Sequence, residues 1–137
     1  MIFDMEGFNK IKRIEEENYK KIGDIFCPYL KSPIAFNRKG LEHITMKGWK
    51  KSRPVSDQFM RIKFLKWAPI IVGKSHTLQE FQEKRSFERQ KINSRWEYRA
   101  TDTKYYGFVA ILKKIRVKIV VKEIVGGKPY FWSVIPF

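Results

Sequence analysis

The sequence predicts an α+β domain in which N-terminal helices pack on a C-terminal four-stranded antiparallel sheet. Three observations lead there. Apolar residues in the first half recur near the helical period. In the last third, from residue 95, the period changes to two. The strand-like runs are joined by turns too short for crossover helices, so the sheet should be a meander. A chain of 137 residues suits one core, and a hydrophobic content of 43% is enough to fill it.

Between residues 5 and 22, Phe8, Ile11, Ile14, Tyr19 and Ile22 are spaced near the helical period with charges between them, an amphipathic helix ending at Gly23. Cys27 to Pro33 is broken by two prolines and reads as a connector. Residues 1–32 are thus a helical extension and connector, and 33–137 the main domain. Ile34-Ala35-Phe36 is a short strand, and Asn37 to Gly40 has turn chemistry. A helix follows from Leu41 to Gly48. Leu41, Ile44 and Thr45 share one side of it, while His43 falls off the core face, on the side of Lys47. Gly48 to Pro54 is a basic loop.

Ser56 is a good N-cap and opens a long core helix to Gly73, carrying Phe59, Ile62, Leu65, Ile70 and Val72. Arg61 lies near its polar side, and Pro69 should kink or end it. Lys74 to Thr77 is a turn in which His76 has a structural or surface role. Thr77 and Glu80 have the spacing of a capping box, which predicts a short helix over Leu78 to Lys84. Phe87 to Asn93 is charged and weakly patterned, an exposed loop.

Arg95 to Thr101 alternates as a strand, with Trp96, Tyr98 and Ala100 on one face. Asp102-Thr103-Lys104 reads as a turn. Tyr105 to Leu112 is nearly all apolar, as a central strand should be. After Lys113-Lys114, Arg116 to Lys122 alternates again. Gly126-Gly127 is a hairpin signal, and Tyr130 to Ile135 is the last strand. Val117, Ile119 and Val121 point one way; Arg116, Lys118 and Lys122 point the other, joined by Arg99 and Thr101. If helices cover the apolar face, the second face is a cationic plate.

Charge narrows the function. Lysine and arginine number 29 against 14 acids, for a net +15 and a pI near 10.0. Such an excess points to a polyanion, nucleic acid first, with a membrane surface or an acidic protein behind it. The single cysteine, Cys27, excludes an internal disulfide and a cysteine-based zinc cluster, and two distant histidines argue against a metal site. No cofactor is expected: neither a P-loop nor a Gly-rich dinucleotide pattern is visible, and no Ser-His-Asp or paired-carboxylate pattern either. The first residues lack a basic flank and a long apolar run, and no stretch approaches the ~20 apolar residues of a membrane span. A cytoplasmic protein is expected, with delivery into a target cell left open.

A histidine among cations is suited to RNA cleavage without metal. His43 sits between Lys39 and Lys47, with Lys51 and Arg53 soon after. A base takes the 2′-hydroxyl proton, the oxygen attacks phosphorus, and cations stabilise the developing charge. The products are a 2′,3′-cyclic phosphate and a 5′-hydroxyl. Imidazole, with an ordinary pKa of ~6.5, serves as base or acid. Arginine matches two phosphate oxygens at once, and a hydroxyl such as Ser133 or Thr101 can hold a non-bridging oxygen. Lys39, Lys47, Lys51, Arg99, Thr101, Arg116, Lys118 and Lys122 are the candidate RNA-binding residues.

Phe36-Asn37-Arg38-Lys39-Gly40-Leu41-Glu42-His43-Ile44, then Arg53 and Arg61, then Tyr105 to Ile111, and the ending Phe131-Trp132-Ser133-Val134-Ile135 together resemble the phage-associated branch of the Barnase–EndoU–colicin–RelE superfamily of RNases. The resemblance covers about residues 33–137. It implies a helix pair before a four-stranded antiparallel sheet, and a metal-independent endoribonuclease used as a toxin or phage effector. It matches His43 to the helix histidine, Arg53 to the loop arginine, Ser133 to the last-strand hydroxyl and Arg61 to a basic position of the second helix. Its substrate would be tRNA or mRNA, and an acidic antitoxin or immunity protein would be a natural partner. Two other readings remain: a non-catalytic RNA-binding module on the basic sheet, and an interaction protein docking an acidic partner.

Overall fold

In the computed structural model, which describes residues 4–47 and 51–137, the order of elements is α1 (Met5–Lys20), β1 (Asp24–Cys27), β2 (Ser32–Ala35), α2 (Arg38–Thr45), α3 (Val55–Leu65), α4 (Ala68–Lys74), β3 (Glu80–Ile92), β4 (Arg95–Leu112), β5 (Ile115–Ile124) and β6 (Tyr130–Pro136). The domain is α+β, as expected. The described sheet has six strands rather than four, in the order β1-β2-β6-β5-β4-β3. All neighbours are antiparallel except β2 and β6, which meet in parallel at Ala35 and Tyr130. No described helix is long and apolar enough to cross a membrane. Gly48–Lys50 of the expected basic loop, and the first three residues of the chain, lie outside the described residues.

The core lies between one sheet face and the helices. Phe108, Val117, Ile119, Val121, Phe131 and Val134 cover the sheet side, and Ile44, Ile62, Leu65 and Val72 meet them from the helices. The expected boundary at residue 32 falls inside a β1–β2 hairpin that belongs to the same sheet. Tyr19 of α1 is buried against Phe36 and Phe131, and its hydroxyl donates to the Asn37 carbonyl at 2.6 Å. Burial pushes that hydroxyl's pKa up, so it stays a donor. The described residues of this stretch, 4–32, thus pack into the common core. On the outer side of α1, Ile11 and Ile14 stay largely exposed.

Two elements depart from their sequence patterns. Residues 80–92 form β3 instead of a capped helix and a loop. The strand is charged on both faces, so no apolar alternation marks it. It exists because β4 pairs with it from Glu80–Gly107 to Ile92–Arg95. Thr77 caps no helix; its hydroxyl accepts from the Gln79 amide, whose oxygen takes the Val109 N–H. The expected turn at residues 102–104 lies inside the 18-residue β4. There Thr103 is buried and shares a hydrogen bond with Ser86, and Asp102 stands 3.5 Å from Arg85. The turns are at Asn93-Ser94 and Lys113-Lys114, with positive φ at all four residues. Two-residue turns of this hand match the twist of the strands they join.

The long core helix is two helices. α3 starts one residue before Ser56, with Pro54 as its cap position, and stops at Leu65. α4 begins at Ala68 with Pro69 in its first turn, where a missing N–H costs no helical bond.

α2 begins earlier than its sequence suggests. Asn37 caps it, its side chain accepting from the Lys39 N–H at 3.1 Å. Gly40 is therefore a helix residue, at the point where α2 lies against β6. A Cβ at position 40 would strike the Phe131 carbonyl oxygen and stand 2.6 Å from its ring. Backbone cannot yield as a side-chain tip can. Gly40→Ala is expected to lower stability by about 2 kcal/mol, a typical cost of overpacking, despite alanine's better helix propensity. Chemical denaturation gives the value; a stability equal to wild type would mean α2 moves freely off β6.

Candidate functional site

The site is built by α2, the start of α3 and a bulge in β6. Val120 pairs with Ser133, but Val121 pairs with Phe131, so Trp132 is the extra residue. Such a bulge re-aims side chains. Here Trp132 stacks on the His43 ring, centroids 3.9 Å apart and 24° from parallel. Ser133, buried, accepts a short hydrogen bond from Arg61 Nη1.

His43 is not the free surface side chain its helical position suggests. It is half-buried under Trp132 and held by Arg53, which donates from Nε to the His43 carbonyl at 2.8 Å and from Nη2 towards the ring at 3.3 Å. Arginine has no acceptor, so Nε2 of the imidazole accepts and its proton sits on Nδ1. Burial, then the charges of Arg53, Arg61 and Lys122, pushes the imidazole down to about 3 against a weak opposing pull from Asp57. The ring is neutral at physiological pH.

Asp57 organises the two arginines. Four residues after Arg53, in the first turn of α3, and one turn before Arg61, its carboxylate lies 3.4 Å from Arg53 Nη1 and accepts from Arg61 Nε at 2.9 Å. Partial burial alone would raise that carboxyl; hydrogen bonds and charge from Arg61 and Arg53 together hold it below the usual carboxylate range. Both guanidiniums are largely buried. Two buried cations therefore share one carboxylate, one negative charge short of neutrality. The sequence reading missed Asp57, although the four-residue spacing of Arg53, Asp57 and Arg61 is the signal that finds it.

Two open clefts meet at His43 and Trp132. One, of about 620 Å³, has Arg61, Ser133, Lys118, Tyr105 and Lys84 among its lining. The other, of about 640 Å³, is lined in part by Lys39, Lys122, Tyr130, Glu88 and Arg89. Arg53 lines neither and sits behind His43.

The remaining candidates scatter. Lys122 is a correction: it does not stand on an open plate but is 3% exposed, its ammonium 2.7 Å from Glu88 and 4.0 Å from the centre of the Trp132 ring. Lys118 is paired with Glu80 at 2.9 Å inside the first cleft. Arg116 lies over the Phe137 ring beside the β4–β5 turn, away from His43. The cationic plate is thus split into separate pairs. Lys39 reaches over Tyr130 in the second cleft. Lys47 and Lys51 are exposed and close the base of their loop by a 2.7 Å backbone hydrogen bond. Thr101 is buried with its hydroxyl taken by Gln90, and Arg99 is exposed 3.6 Å from Glu97. Trp96 and Tyr98, read as one face of a core strand, are exposed. His76 is exposed in its turn.

No protein-family model, curated protein or solved structure matches the chain.

Proposed function

We propose that the protein is a metal-independent endoribonuclease of the toxin or phage-effector type, cutting RNA at the junction of the two clefts. The observation that carries this reading is the charge deficit. Arg53 and Arg61 share Asp57 beside a serine hydroxyl and a neutral imidazole, a setting that favours one phosphodiester. Arg61 and Ser133 hold the non-bridging oxygens. Arg53 positions His43 by its carbonyl and ring. A bound phosphate sets a negative charge against the cations that depress the imidazole, which raises its pKa towards a useful base. Once the ring turns Nε2 from the long Arg53 contact into the cleft, the 2′-hydroxyl gives up its proton to it. Its oxygen attacks phosphorus, and the departing 5′-oxygen is protonated by water in the open cleft. The clefts on either side of His43 seat the nucleotides flanking the cut. The resemblance noted in the sequence, which implies roles for His43, Arg53, Arg61 and Ser133, supports the same reading.

The test is incubation of purified protein with total RNA in excess EDTA, followed by analysis of the new ends. Cyclic phosphates and 5′-hydroxyls are expected. Arg61→Ala and Ser133→Ala should each slow their appearance, Arg61→Ala by about 10²-fold, the scale of losing one charged stabiliser of the transition state. RNA retained but never cut would leave the binding module as the better reading. No effect on RNA at all would favour docking of an acidic protein.

A further inference from the structure

We propose that the outer half of the β3–β4 hairpin is a separate arm that captures unpaired RNA by stacking bases on Phe87, Trp96 and Tyr98. The arm is defined by the pairing. β5 follows β4 only as far as Thr103–Ile124, whereas β3 and β4 continue together from Ser86–Thr101 to Ile92–Arg95. At about 3.3 Å per residue, these seven pairs make a ribbon roughly 23 Å long beyond the last β4–β5 pair.

One side of this ribbon is unlike the rest of the surface. Directly paired residues share a side, so Phe87–Ala100, Arg89–Tyr98 and Lys91–Trp96 form a single stripe. Phe87, Trp96 and Tyr98 are 75%, 59% and 68% exposed. The Arg89 guanidinium lies 4.8 Å from the Trp96 ring centre. On the opposite side the charges are satisfied locally: Glu97 takes Arg95 and Arg99, and Glu88 takes Lys122. Three large rings held in water beside Arg89 and Lys91 are a stacking platform with phosphate-binding cations.

The occupant follows from charge and shape. From Ser86 to Thr101 the ribbon carries four basic residues, Arg89, Lys91, Arg95 and Arg99, against Glu88 and Glu97. Two copies stacking stripe to stripe would bring Arg89 and Lys91 of each copy together. A polyanion with flat, apolar faces fits instead. An A-form duplex hides its bases in a groove that side chains cannot enter, so the RNA must be unpaired there. The arm also joins the site, since Glu88 and Arg89 wall the second cleft beside His43. The stripe lies on the other side of the ribbon from Glu88 and Lys122, so a strand leaving the cut reaches it by crossing the β3 edge at Arg89. The inference deepens the proposed function by naming its substrate class as RNA with an unpaired segment next to the cleavage point, and rests on that function for the choice of RNA.

The test uses the full chain and a fluorescent 2′-O-methyl oligonucleotide, which lacks the attacking hydroxyl and is bound without being cut. Affinity is measured for the single strand and for the same strand annealed to its complement. Trp96→Ala and Tyr98→Ala should each weaken single-strand binding about tenfold, the scale of one lost stacking contact. They should leave the melting temperature, duplex binding and cleavage of a dinucleoside monophosphate near wild type. Ile111→Ala, an exposed apolar residue beside the β4–β5 turn, is the control and should change nothing. Unchanged single-strand affinity in the ring variants overturns the arm, as does an equal loss for the duplex. So does a wild-type dimer that the substitutions dissociate in sedimentation, since a second copy would then be the occupant. Cleavage of the dinucleotide together with single-strand binding that does not depend on the rings sinks the arm and leaves the nuclease standing. Ring-dependent binding without any cleavage does the reverse.

Discussion

His43→Ala is expected to lower RNA cleavage by about 10²-fold or more, the usual scale for losing a group that moves the proton. The loss should be one of chemistry, visible at saturating RNA. Because the ring is packed on Trp132 and accepts from Arg53, some stability should go with it, so the rate must be compared on protein shown to be folded. His76→Ala, at an exposed turn residue, should leave the rate at wild type. The pH dependence is the sharper check. A base works only when unprotonated, so its rate falls as pH falls through its pKa. For an ordinary histidine that limb lies near 6.5; in the free protein His43 is pushed down to about 3, so kcat/KM should show no histidine limb between pH 5 and 7. Bound phosphate raises the pKa, and kcat, which reports the complex, should show its limb at a higher pH than kcat/KM does. A kcat/KM limb at 6.5 that vanishes in His43→Ala would mean that the ring is free and that Arg53 does not hold it. Linkage gives the same group a second readout. The unfolded chain binds the His43 proton below ~6.5 and the folded chain only near 3, so stability is full above 6.5 and falls as pH drops through that window.

The second large effect concerns Glu88 and Lys122. Breaking a buried ion pair leaves one charge without a partner in a poor solvent for it, at a cost of about 3–5 kcal/mol. Lys122 is the more buried partner, with its side chain 4% exposed against 18% for Glu88. Glu88→Ala is therefore expected to destabilise by about 3 kcal/mol, whereas the double variant Glu88→Leu with Lys122→Met should recover most of the loss. Burial already lowers the Lys122 pKa and the Glu88 pair opposes it, so removing Glu88 lowers it further. The stability of Glu88→Ala should then climb as pH rises towards the unfolded lysine value of ~10.4, because only the unfolded state binds the proton there. Denaturation midpoints at pH 7 and pH 9.5 decide it. A destabilisation under 1 kcal/mol with no rise at high pH would place the pair in water.

The α+β class, α1 and β5 were legible in the sequence from their apolar period, β6 from its apolar run, and the turns at Lys113-Lys114 and Gly126-Gly127 from the residues that separate those segments. The site was half legible. His43, Arg53, Arg61 and Ser133 do gather, but local pattern alone set His43 in solvent and Lys122 on an open face. The structure moves both inward for one reason: neighbours distant in sequence cover them. Trp132, turned by the β6 bulge, closes over His43, and Glu88 of β3 neutralises Lys122. β3 itself was invisible, since a strand charged on both faces has no alternation and takes its shape from β4. The sequence by itself thus determined what periodicity and charge can encode, namely which segments bury a face, and a large excess of cations. Only the tertiary structure decided which of those cations are already neutralised, which pair is left one carboxylate short, and which aromatic rings stay in water. Those outcomes depend on contacts between strands and helices far apart in the chain, for which no local pattern exists.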